Sequence, residues 1–242
     1  MTLQKAVTHA LRWELWVYGL MFLCCSAPIY AFAYFIQIIL TTLGYSTAVV
    51  FLLCAPPYLL SIFWTLGVAW LADRTRLRMP WMVLNAAVTL TGLLLTAYHK
   101  NDAVRYFGTP IPYPPPFPFL VCSNNVLPTD LNQGVFLGVC GCNGNLPTII
   151  TFQSNNVRGA SRRSVASGVQ MLFASVGGIY ASCTFMQVEY PTYRTGVWCA
   201  VATQFLLIAL VGLMWWWFRR QNGRAERGRV VIQEDGGYRY TF

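Results

Sequence analysis

Charge is what this sequence lacks. Of its 242 residues only 10% are Asp, Glu, Lys or Arg, against about 25% in a soluble domain. The shortage is concentrated: no charged residue stands between Glu14 and Asp73, and the runs near 15–40, 47–71, 80–98, 134–153, 165–188 and 195–218 hold none at all. About 20 apolar residues of helix cross the hydrocarbon core of a bilayer, so these runs exclude a soluble enzyme, a nucleic-acid module and a disordered segment together. The runs also lack the strict alternation that a membrane barrel requires. No small-residue cleavage site interrupts the first run, which therefore reads as a retained helix and not as a signal peptide. No nucleophile–base set or metal cluster stands in any run or loop, which argues against an enzyme and against a cofactor. The expected architecture is all-α and membrane-embedded, with six spans.

The net charge of +9 takes its meaning from its placement. One set of loops holds Lys5, Arg12, Arg74, Arg76, Arg78, Arg158, Arg162, Arg163, Arg219, Arg220, Arg224, Arg227, Arg229 and Arg239; the opposite set holds Lys100, Arg105 and Arg194. Fourteen against three places residues 1–14 and the Arg-rich tail 219–242 in the cytoplasm, with an even number of crossings in 15–218. The tail is expected to lie against anionic lipid, and no nucleic acid is called for. Trp215-Trp216-Trp217 before Arg219-Arg220 fits an aromatic belt at that face. Of eight cysteines, seven fall within runs and only Cys122 in a loop, which disfavours a disulfide framework. Cys140-x-Cys142 has neither a histidine nor an acid beside it in its run, so packing is preferred to metal binding.

Neutral polar groups stand at mid-membrane depth instead of charges. Tyr30, Tyr34 and Gln37 recur at i, i+4 and i+7 and share one helix face. Tyr58 follows Pro56-Pro57. Asn143 and Asn145 stand among Gly138, Gly141, Gly144 and Pro147, residues that loosen a helix where it lines a cavity. These six residues are the expected solute-facing set, and amides and phenols without fixed charge suit a polar organic solute. Asn85, Gln170 and Gln204 are expected to form ordinary interhelical hydrogen bonds. In the loop after the second run, Asp73 among Arg74, Arg76 and Arg78 makes a charge cluster able to latch one conformation and release another.

Residues 69–78, "AWLADRTRLR", resemble the cytoplasmic signature of the major facilitator superfamily, with Ala69 and Arg76 standing where the usual pattern has glycine. Further runs are "APPYLL" at 55–60, "VRYFG" at 104–108, "SNNVRGASRRSVASG" at 154–168, "GGIYAS" at 177–182 and "GYRYTF" at 237–242. Together they look like the C-terminal half, helices seven to twelve, of the fungal allantoate permease or anion:cation symporter family. The resemblance implies a secondary transporter in the plasma membrane that moves a small organic anion or vitamin, of the allantoate, nicotinate or pantothenate type, together with protons by alternating access. The substrate carboxylate and the coupling proton both call for charges that the six runs lack, and these fall to an absent N-terminal half. Two alternatives stay open: a non-transporting remnant, or a six-span protein active as a homodimer.

Residues 109–134 fit neither the resemblance nor a helix. "TPIPYPPPFPFLVCSNNVLPTDLNQG" is Pro-rich, and joining Gly108 to Val135 restores a continuous apolar run. The segment reads as a retained intron: Thr129-Asp130 can be encoded by a branch-point-like ACTGAC, and Gln133 by CAG. The alternative is a Pro-rich extracellular insert. If retained, it is expected to break the fourth span.

Overall fold

The structure, a computed structural model, describes residues 13–42, 47–98, 133–184, 194–227 and 240–241. Six helices account for nearly all of them: α1 (Trp13–Thr42), α2 (Thr47–Thr75), α3 (Met79–Tyr98), α4 (Gln133–Asn156), α5 (Ala160–Thr184) and α6 (Arg194–Glu226). Every backbone polar group in a bilayer must be satisfied within the protein, and a helix does this locally. The prolines inside α1, α2 and α4 do not end them. Around Pro147, the Thr148 hydroxyl donates to the Gly144 carbonyl at 2.8 Å and Thr151 to the Pro147 carbonyl at 2.6 Å, each one turn back on its own helix.

Four stretches are long and apolar enough to cross a membrane: Trp13–Tyr34, Val50–Thr75, Ala160–Thr184 and Thr195–Glu226. The chain is a multi-pass membrane protein. In α3 the qualifying apolar part, Met79–Leu94, is shorter. In α4 the amides of Asn143, Asn145, Gln153, Asn155 and Asn156 dilute the apolar content. Even so, α4 is 24 residues long and unbroken from Gln133, or about 36 Å of helix. Residues 109–132 lie outside the described residues, but the fourth helix is continuous without being joined to Gly108. Gln133 and Gly134, the last two residues of the 109–134 segment, belong to this helix, which is not among the four stretches long and apolar enough to cross a membrane.

α1 is the central post, packed on α5, α6, α4 and, more lightly, α2; α4 is wedged among α1, α2 and α3; α6 rests on α1 and α3. The buried core runs between α1, α3, α4 and α6 through Tyr18, Met21, Met82, Ile149, Phe152 and Met214. Glycine permits the closest approach. A Cβ at Gly141 would stand 2.8 Å from both the Asn85 carbonyl oxygen and the Thr89 nitrogen of α3, backbone atoms that cannot step aside. Burial is uneven. In α1, 67% of the apolar window is buried, in α2 18% and in α5 22%, so α2 and α5 present broad apolar faces outward.

The two turns between helices among the described residues lie at one end of the bundle, called here the basic end. Residues 76–78 join α2 to α3, and Gly159, at φ 90°, joins α4 to α5. Arg76 has φ 54°, the left-handed conformation that glycine adopts without steric cost. This is why glycine suits that place in the signature the loop resembles. α6 continues past Phe218 to Glu226 as helix, so the first part of the Arg-rich tail is not a loose appendage.

Candidate functional site: a polar cleft between three helices

A narrow cleft of about 150 Å³ opens between α1, α2 and α4, lined by Ile29, Phe32, Tyr58, Val139, Cys142 and Asn143. It is too tight to admit a water molecule, and far smaller than the roughly 300–1,000 Å³ of pockets that enclose organic ligands. Its polar wall is a relay. The Asn143 amide donates to the Ser61 hydroxyl at 3.1 Å, and Ser61 donates to the Tyr58 carbonyl at 2.7 Å. Tyr58 and Asn143 are thus brought together from α2 and α4. Ser61 was not among the expected residues, although it lies one turn after Tyr58 on the same face.

The other expected residues stand elsewhere. Tyr30 and Tyr34 are each 40% exposed and lie along α5, Tyr30 beside Gly178 and Tyr34 accepting a hydrogen bond from Ser182 at 3.4 Å. Gln37, further along the same helix, is exposed. Asn145 is separated from Asn143 by two residues, about 200° around the helix. It lies one turn after Gly141, on the side of α4 that meets α3. It is 1% exposed, and among the described residues neither its amide nitrogen nor its oxygen has a partner. Buried polar atoms are nearly always satisfied, so Asn145 stands out, together with Gln153 of the same helix, whose two amide atoms also lack partners among the described residues. Asn85 accepts from the Trp64 indole at 3.1 Å, and Gln204 donates to the Cys24 carbonyl at 3.0 Å; both bonds join different helices. Gln170 is buried, with its amide nitrogen unpartnered among the described residues.

At the basic end, Asp73 pairs with Arg78 across the α2–α3 turn. Arg74 lies over its own helix's Trp70 at 5.2 Å. The Trp81 indole donates to Thr75 at 3.0 Å, tying α3 to α2. On α6, Arg219 and Arg220 lie over Trp215 and Trp216 at 5.3 and 5.2 Å. Arginine stacked on tryptophan one turn earlier is an arrangement suited to a headgroup layer, where one part is apolar and the other wet. Among the described residues, no group of three or more His, Cys, Asp or Glu is placed to hold a metal ion.

Comparison with known proteins points to transport. The chain is 22% identical over 218 residues to an MFS-type transporter of Penicillium expansum, covering 88% of this chain and 37% of that protein. It is 22% identical over 223 residues to an uncharacterized transporter of Schizosaccharomyces pombe, covering 90% and 40%. It is 23% identical over 192 residues to the high-affinity nicotinic acid transporter of Saccharomyces cerevisiae, covering 78% and 31%. No family model and no solved structure matches. The chain therefore spans between 31% and 40% of the length of these curated relatives. They are named as transporters and not as enzymes, and this six-helix chain is similar to them over most of its own length.

Proposed function

We propose that the chain supplies one six-helix wall of a secondary transporter for a small organic anion or vitamin of the nicotinate, pantothenate or allantoate type. It corresponds to the C-terminal half of a member of the allantoate permease family. The transporter is proton-coupled, works by alternating access in the plasma membrane, and keeps both ends of this chain cytoplasmic, as the basic residues argue. The observation that carries the reading is the cleft itself. Tyr58, Ser61 and Asn143 make a polar, uncharged face at the middle of apolar helices, on a space too narrow to hold a solute alone. A solute needs a second wall, and transporter sites lie between two halves near the bilayer midplane.

The exposed apolar faces of α2 and α5 are the surfaces on which that second half packs. It also brings the charges that a carboxylate and a coupling proton require. Tyr30, Tyr34 and Gln37 extend the solute-facing surface along α1. Asn145, turned to the α3 side, is the amide that an ordered water completes, since nothing described in the chain does so. Asp73 with Arg78 holds the α2–α3 turn in one gating state, with Arg74 and Arg76 beside it.

The test is full-length transcript sequencing through codons 109–134 and upstream of Met1, followed by uptake of labelled nicotinate and related carboxylates by cells expressing the longest reading frame. Asn143→Leu and Tyr58→Phe should reduce uptake at unchanged surface level. Normal uptake in both variants would remove the cleft from the path. A monomer on a blue-native gel with no uptake would indicate a remnant, and an active dimer of this chain a self-paired transporter.

A further inference from the structure

The "GYRYTF" run has no part in the cleft, yet two of its residues are among the most completely bonded in the molecule. Tyr240 is 7% exposed and stacks on Phe218 with ring centroids 4.2 Å apart and planes 2° from parallel. It ends an aromatic column: Tyr18 meets Phe152 edge-on at 5.7 Å, and Phe152 meets Phe218 at 5.9 Å. Two asparagines then grip the backbone. Asn222 accepts from the Tyr240 nitrogen and donates to the Tyr240 carbonyl, each at 3.0 Å. Asn156 accepts from the Thr241 nitrogen at 2.9 Å and donates to the Thr241 carbonyl at 3.2 Å. The Tyr240 hydroxyl reaches Glu14 at 3.4 Å.

We propose that the basic end carries a built cleft for an extended dipeptide, and that its occupant, Tyr240-Thr241, is a strap locking the ends of α1, α4 and α6 together. Three observations support this. The cleft is formed by three helices: Glu14 from α1, Asn156 from the last residue of α4, and Phe218 with Asn222 from α6. Each amide makes a two-bond ring with one residue's own N–H and C=O, the pairing that an extended strand would otherwise offer. The site therefore reads backbone at both positions, an aromatic ring at 240 and a hydroxyl at 241, which donates to the Asn156 side-chain oxygen at 3.2 Å. Finally, the grip is tertiary, reaching Asn222 across 18 residues and Asn156 across 85, and uses none of the helices' own backbone hydrogen bonds. Its release frees the three helix ends to part, which makes occupancy a control on opening at this end.

The recognition pattern dictates the test. Hydrogen exchange would be measured on the whole chain in lipid nanodiscs, comparing wild type with Tyr240→Ala, Thr241→Pro and Thr241→Ala. Proline has no N–H to give Asn156, whereas alanine keeps it. Tyr240→Ala and Thr241→Pro should speed exchange of amides in 153–156 and 219–226 at least tenfold and leave α3 unchanged, while Thr241→Ala, which loses only the hydroxyl bond to Asn156, should change it far less. No change in either releasing variant would overturn the strap. Faster exchange throughout the bundle would also overturn it, by making the segment a general fold element. If Tyr240→Ala does not fold, Tyr240→Phe, which keeps the stack, must still show wild-type protection at both helix ends, and its loss would equally overturn the proposal.

Discussion

Asn145 and Asn156 sit on one helix, eleven residues apart, and are used in opposite ways. At the basic end Asn156 spends its whole amide: it binds Thr241 with both atoms and also donates to the Phe152 carbonyl at 3.0 Å. In the middle of the bundle Asn145 is equally buried and spends nothing among the described residues. A satisfied buried amide is a structural part, whereas an unsatisfied one costs stability unless something outside the chain completes it. The contrast is between two residues and not two regions, since Gln153, three residues before Asn156, is also buried with both amide atoms unpartnered among the described residues.

The comparison can be broken at either pole, and the basic end should give the larger effect. Asn156→Leu leaves the Thr241 backbone and the Phe152 carbonyl without their partner, and should cost about 2–3 kcal/mol, read as a lowered midpoint of thermal unfolding in detergent. Asn145→Leu should do the reverse, raising stability by about 1–2 kcal/mol because two orphaned polar atoms disappear. A fall in stability in that variant would mean that Asn145 is already satisfied. Arg76→Gly relieves a left-handed arginine and should add about 1 kcal/mol, checked in the same melts. The smallest change belongs to Asn143→Ala, about 0.6 kcal/mol for one interhelical bond, since Ser61 keeps its bond to the Tyr58 carbonyl. Its effect on uptake should far exceed its effect on melting.

The helices were readable because charge-free runs long enough to span a bilayer can be little else. The pairing of Tyr58 with Asn143 was half readable: each was picked out by its polar character in an apolar run, but which helices meet is a tertiary fact. Asn143 and Asn145 were grouped because glycine and proline surround both, although a spacing of two residues turns them to different sides of α4. The strap was not readable at all. Asn156 and Asn222 bind backbone, which has no signature in side-chain identity, across separations of 85 and 18 residues. The left-handed turn at Arg76 could be seen only as an arginine standing in a place that resembles a glycine.

The most direct measurement is uptake in proteoliposomes that contain either this chain alone or the longest reading frame of its locus, tested with labelled nicotinate, pantothenate and allantoate under an inward proton gradient. The account predicts saturable uptake of one of these anions by the longer form, abolished by Asn143→Leu, and none by the 242-residue chain alone. Saturable uptake by the short chain alone would contradict the claim that it is one wall of a two-walled site.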